Sequence, residues 1–202
     1  MSLSIRTDSV LVGEQKIRAR QFTGLVEVHL AKVPGTRSLE DEAVGLIRQD
    51  FAPLDLSHFI RGVFKWGGHY ERAGRTLYSE NHVNPELQPR FRAAAAFLGG
   101  PVADVCAALI ELNHIKGLGE PSFASKHLRF LCPRFCPVLD SVVAAGVGYE
   151  RSVVGYHQWS AESVAAARHL EHCAVRNPMG RLGGAWFAGD VDMAIFAYLQ
   201  GW

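Results

Sequence analysis

Two glycines flank one leucine in Gly117-Leu118-Gly119, between two stretches of helical pattern, and a single aspartate, Asp140, follows about twenty residues later. Glycine reaches backbone conformations closed to other residues and has no Cβ to block an approaching chain. A G-L-G turn that opens into a helix therefore offers free N–H groups, backed by the helix dipole, to an anion such as a phosphate. The plainer reading is an αα-hairpin whose glycines only cap and reverse the chain. At this level Asp140 is explained by N-capping of the segment SVVAAGVG that follows it.

Helices must position these residues. SLEDEAVGLIRQDF predicts a helix capped by Ser38, with Leu39, Ala43, Leu46 and Ile47 on one face. LSHFIRGVFKWGG predicts another, capped by Ser57 and stopped at Gly67-Gly68, with Phe59, Ile60, Val63 and Phe64 inward. NPELQPRFRAAAAFLGG is followed by PVADVCAALIELNHI, opened by Pro101 with Val102, Val105, Ala108, Leu109 and Leu112 facing in. Past the turn, Glu120 and Pro121 begin EPSFASKHLRFL. SAESVAAARHLEHCAV carries a capping-box spacing at Ser160 and Ser163, and DVDMAIFAYLQ closes the chain with Asp190 and Asp192 as caps. HYERAGRTLYSENHVNP reads as a polar loop, and residues 1–35 stay open between short strands and a helix entry. The expectation is an all-α fold of about eight helices, with a short strand or irregular segment at the N-terminus.

The 202 residues suit one unit of two lobes sharing a core, and at 48 % hydrophobic content that core can be filled. There is no apolar run long enough to span a membrane and no signal-peptide pattern at the start, so a cytoplasmic location is expected. Cys106, Cys132, Cys136 and Cys173 are too few and scattered for a disulfide scaffold; buried thiols are expected rather than a zinc site. The net charge of +1 gives no global pull toward nucleic acid. Local groups do lean that way: Lys116, Lys126, Arg129 and Arg134 near the turn, and Arg61, Lys65, Arg72 and Arg75 upstream.

Ile115, Gly117, Leu118, Gly119, Ala124, Pro137, Val138, Leu139 and Asp140 together resemble the signature of the helix-hairpin-helix DNA glycosylases, with the 8-oxoguanine DNA glycosylase branch most similar. The likeness covers roughly residues 101–148. It implies that the N–H groups of Leu118 and Gly119 hold a DNA phosphate, with Lys116, Gly117 and Ser125 as further backbone contacts. A monovalent cation, K+ or Na+, on nearby carbonyls is compatible, and no cofactor is required. It implies that Asp140 is catalytic: cutting an N-glycosidic bond builds positive charge on the deoxyribose, which a fixed carboxylate stabilises. The strand-cleaving members carry a Schiff-base lysine two residues past the second glycine, where this chain has Pro121. A monofunctional enzyme that leaves an abasic site is therefore expected, with Lys126 the candidate for a displaced lysine.

Such an enzyme must hold a flipped base between flat side chains. Trp66, Tyr156, Trp159 and Trp186 are the aromatic candidates, with Asp190 for a base edge and Asn81 or His82 for the residue that fills the vacated stack. No metal is expected. The partner is double-stranded DNA, bound by a monomer. The substrate is an oxidised purine such as 8-oxoguanine, in base excision repair, or a hypermodified phage base such as glucosylated hydroxymethylcytosine, in antiviral defence. The alternative is a non-catalytic helix-hairpin-helix module that binds DNA and uses Asp140 only as a cap.

Overall fold

The computed structural model describes residues 3–79, 82–100 and 102–202. Among them are ten α-helices and two small antiparallel sheets. The open N-terminal stretch resolves into a meander of β1 (Leu3–Arg6), β2 (Ser9–Val12) and β3 (Gln15–Arg18), joined by two-residue turns. Leu3, Val10, Val12 and Ile17 are buried, as expected of strands with one face on a core. Then follow α1 (Gln21–Lys32), α2 (Thr36–Arg48) and α3 (Pro53–Trp66). The stretch expected to be loop holds a 3-10 turn, the short α4 (Ala73–Leu77), and the strands β4 (Tyr78–Ser79) and β5 (His82–Val83). After it come α5 (Leu87–Leu98), α6 (Val105–Asn113), α7 (Pro121–Leu131), α8 (Ser141–Val147), α9 (Val153–His172) and α10 (Ala188–Leu199).

Several helix starts differ from the sequence pattern, each for a local reason. α2 begins earlier, after Gly35 at φ 91°, so Ser38 lies inside its first turn. α3 begins at Pro53, whose fixed φ and missing N–H suit a first helical position, and Ser57 is internal. α6 begins after Asp104, whose side chain accepts the Ala107 N–H; Val102 is exposed and Pro101 lies outside the described residues. α9 is a full turn and more longer than its pattern, capped by Ser152, while Ser160 donates to the Phe135 carbonyl. No helix of the described residues is long and apolar enough to cross a membrane.

α7 is the central helix. Every residue from Ser122 to Leu131 is buried, including Lys126, His127 and Arg129, between α2, α3 and α6. A helix covered on all sides is ordinarily apolar all round; this one needs a partner for each polar group. His127 donates from Nδ1 to the Phe123 carbonyl (2.8 Å) among the rings of Phe59, Phe64 and Phe91. Burial pushes it down to about 4, so it is neutral at pH 7. Arg129 Nη1 donates to Glu40 Oε1 at 2.5 Å. Arg181 Nη1 donates to the other Glu40 oxygen at 2.5 Å, and its Nη2 to Asp190 Oδ1 at 2.6 Å. This chain of alternating charges ties α2, α7 and α10 to the loop before α10.

The network predicts a steep penalty for breaking it. Glu40→Gln leaves the fully buried Arg129 guanidinium without a counter-charge, which costs about 3–5 kcal/mol. Urea titration at pH 7 should show this as a lower midpoint at unchanged slope. A loss below about 1 kcal/mol would mean that Arg129 does not depend on Glu40.

Candidate functional site

The G-L-G turn joins α6 to α7 as a tight hairpin. Gly117 has φ 94°, and a Cβ there would lie 2.4 Å from Thr76 Oγ1, so the turn seats directly on α4. The Gly117 and Gly119 N–H groups have no acceptor among the described residues. Leu118 differs from expectation: its N–H donates to the Ile115 carbonyl at 2.9 Å and its side chain is buried, so it has no donor to give a phosphate. Ser125 is also redirected. It is fully buried, donates to the Ser122 carbonyl and accepts the Leu139 N–H at 3.1 Å. Its work is to hold the strand-like segment that delivers Asp140.

That segment is held from its other side by Trp159, whose Nε1 donates to the Val138 carbonyl at 2.9 Å. Asp140 then caps α8: Oδ1 accepts the N–H groups of Val142 and Val143, both at 3.0 Å. Capping occupies one oxygen and orients the other. Oδ2 lies 3.7 Å from Lys126 Nζ. Lys126 is 6 % exposed, and a Cβ on Gly67 would come within 3.1 Å of its stem, so the glycine that ends α3 makes room for the lysine. Burial lowers the Lys126 pKa, with Asp140 and Asp192 opposing.

Lys126 and Asp140 line a cavity of about 270 Å³, together with His29, Trp66, His69, Val138, Asp192 and Phe196. Trp66 donates from Nε1 to Thr36 and stands edge-to-face on Phe130, centroids 5.0 Å apart. His29 is buried and held down to about 4, by desolvation first and Arg129 second. Its Nδ1 has no partner among the described residues.

The other base-pocket expectations do not reach this cavity. Tyr156, Trp159 and Trp186 are buried in the core, and the two indoles donate to the Val138 and Val175 carbonyls. Asp190 is spent on Arg181, Asn177 and the Phe187 N–H at the start of α10. The acid that lines the cavity is Asp192, two positions on. The sequence allowed one of these two caps to reach a base edge, with Asp190 the expected one. Of the residues expected to fill the stack, His82 is exposed on β5 and Asn81 lies outside the described residues.

A second, open cleft of about 550 Å³ adjoins the cavity at His69 and is lined by Lys65, Tyr70, Glu71, Arg72 and Arg75. Arg72 lies over the Phe123 ring at 4.1 Å, on the first turn of α7. A Cβ on Gly117 would meet buried Thr76, so the segment that carries Arg72 and Arg75 packs against the hairpin, on which Lys116 is exposed. No group of three or more His, Cys, Asp or Glu side chains among the described residues is placed to hold a metal, and the four cysteines are free. A cation at the hairpin would compete for carbonyls of Ile115 and Leu118 that already accept N–H bonds.

The seat of the hairpin yields a double-mutant prediction. Gly117→Ala forces alanine to positive φ and drives its Cβ into Thr76, which should cost roughly 2 kcal/mol or more. Thr76→Ala should recover the steric part and leave the backbone part. Thermal melts of the four proteins measure this, and equal losses in both backgrounds would show that the contact carries no weight.

Comparison of the chain with protein-family models, with curated proteins and with solved structures gives no match in any of the three.

Proposed function

We propose that the chain is a DNA glycosylase of two-lobed helix-hairpin-helix type, which draws one altered base from a duplex into the cavity and cuts its bond to deoxyribose. One observation carries this reading: Lys126 Nζ and Asp140 Oδ2, 3.7 Å apart, line a base-sized cavity next to a hairpin with unspent glycine N–H groups. Loss of the base leaves positive charge on the sugar. A carboxylate pre-oriented by two backbone amides stabilises that charge without reorganising. Lys65, Arg72 and Arg75 around the adjoining cleft, with Lys116 exposed on the hairpin, support duplex DNA as the partner. At about 270 Å³ the cavity is at the small end of ligand pockets, which favours an oxidised purine over a base with a sugar attached.

Water attack on C1′, leaving an abasic site, is the first reading. Strand cleavage through a Lys126 Schiff base is the second, and the approach of Nζ to Asp140 and the lowered Lys126 pKa favour it. Lys126 occupies a different helical position from Pro121, yet α7 carries its amine to the same carboxylate.

Duplexes bearing single modified bases, 8-oxoguanine and glucosylated hydroxymethylcytosine among them, test the activity by alkali cleavage after incubation. On the duplex that responds, Asp140→Asn keeps the cap but removes the charge. It should bind as wild type and release base roughly a hundredfold to a thousandfold more slowly in single turnover. Full turnover in Asp140→Asn leaves Asp140 a cap alone, and no release from any duplex leaves a DNA-binding module. Borohydride separates the two chemistries: hydrolysis gives no covalent adduct, whereas an adduct lost in Lys126→Gln assigns the Schiff base.

A further inference from the structure

Two carboxylates line the cavity, and their surroundings divide them. Asp140 accepts two backbone N–H bonds at Oδ1, and its Oδ2 lies 3.7 Å from Lys126 Nζ. Asp192 is 4 % exposed, and its Oδ1 has no hydrogen-bond partner among the described residues. An ionised carboxylate left so poorly solvated is costly, and a protonated one is not. The groups around it are Lys126 and Arg129 on α7, Asp140 ahead of α8, Tyr156 on α9, and His29 on α1 in the same cavity wall. Burial first and the negative charge of Asp140 second hold the Asp192 proton well above the ordinary carboxylate range, against the Val138 amide, Arg129 and Lys126.

We propose that Asp192 is the general acid of this cavity and delivers its proton to the base as the base leaves the sugar. The proposal rests on the glycosylase reading. A site with two acids in such different surroundings divides their roles: the one held by backbone amides faces developing positive charge, and the buried one that keeps its proton meets developing negative charge. His29 cannot take the second role, because it is neutral at pH 7. As the C1′–N bond breaks, its electron pair passes to the base, and the Asp192 hydrogen passes to a base nitrogen or oxygen. The base departs neutral. The carboxylate left on Asp192 meets the positive charges of Lys126 and Arg129, and Arg129 is itself fixed by Glu40. Water adds to C1′ and loses its proton to Asp140 or solvent, or the Lys126 amine adds in the lyase reading. Solvent returns a proton to Asp192 once the base has gone.

Two measurements test this. Carboxyl-carbon NMR of protein labelled at aspartate, with Asp192→Asn to assign the signal, should show Asp192 protonated at pH 7. An ionised Asp192 there overturns the proposal whatever the substrate. On the duplex from which wild type releases base, the single-turnover rate should fall as pH rises through the NMR midpoint of Asp192. Asp192→Asn should lose that limb and run roughly a hundredfold or more slower, while binding a duplex with a tetrahydrofuran abasic analogue as wild type does. If Asp192→Asn does not fold, the wild-type profile still decides, since a rate flat across the Asp192 midpoint rejects the acid. Normal release by Asp192→Asn rejects the acid and leaves the glycosylase reading standing. No release by wild type from any duplex rejects both.

Discussion

Burying three basic side chains on one helix is the constraint that the rest of the structure answers. α7 lies at the centre with Lys126, His127 and Arg129 inside it. Each residue meets the desolvation cost differently. His127 gives up its charge and keeps one hydrogen bond. Arg129 cannot give up its charge, so Glu40 is brought to it from α2, and Arg181 and Asp190 complete the alternation. Lys126 stands between, with a lowered pKa and a carboxylate at 3.7 Å, and it is the one of the three beside an accessible cavity. Under the proposed function, the two structural solutions leave the third free to serve as chemistry.

Asp140 shows how the fold obtains a fixed carboxylate. The two readings open at the level of sequence, cap and working acid, are not exclusive, because the oxygens are distinct. Oδ1 is consumed by the Val142 and Val143 amides, and this removes the side-chain freedom that Oδ2 would otherwise lose on meeting a substrate. The preceding residues are tied down by Ser125 and Trp159, neither of which touches the cavity. Expected as a backbone contact and a pocket wall, both are better described as positioning residues for Asp140.

What was legible in the sequence follows from how local each cause is. The hairpin, the start of α7 at Pro121 and the stop of α3 at Gly67 come from backbone preferences of the residues themselves, and they stand where the pattern put them. Helix starts near competing caps were misplaced, as at Asp104 and Ser152, because several residues in each stretch satisfy the same rule. Residue type did not separate pocket aromatics from core aromatics. Trp159 and Trp186 find backbone carbonyls for their N–H groups in the interior, and Trp66 finds a threonine beside the cavity. The choice between Asp190 and Asp192 was likewise beyond reach. Two positions on a helix point to nearly opposite sides, and only the packing of α10 decides which side meets Lys126.

The small net charge looked unpromising for a nucleic-acid partner, and the distribution explains why it need not be. Inside the cavity the Lys126 amine lies 3.7 Å from an Asp140 carboxyl oxygen, and burial holds the Asp192 pKa above the ordinary carboxylate range. Outside, Lys65, Arg72 and Arg75 outnumber Glu71 around the adjoining cleft, where under the proposed function phosphate charge would be met at the surface and screened by salt. Much of the remaining charge is matched internally, as in Arg90 with Glu111, Arg92 with Asp50 and Arg176 with Glu27. Under the proposed function, attraction and chemistry fall to different charges: the cations around the cleft would meet a polyanion at the surface, and the groups inside the cavity would act on one base at a time.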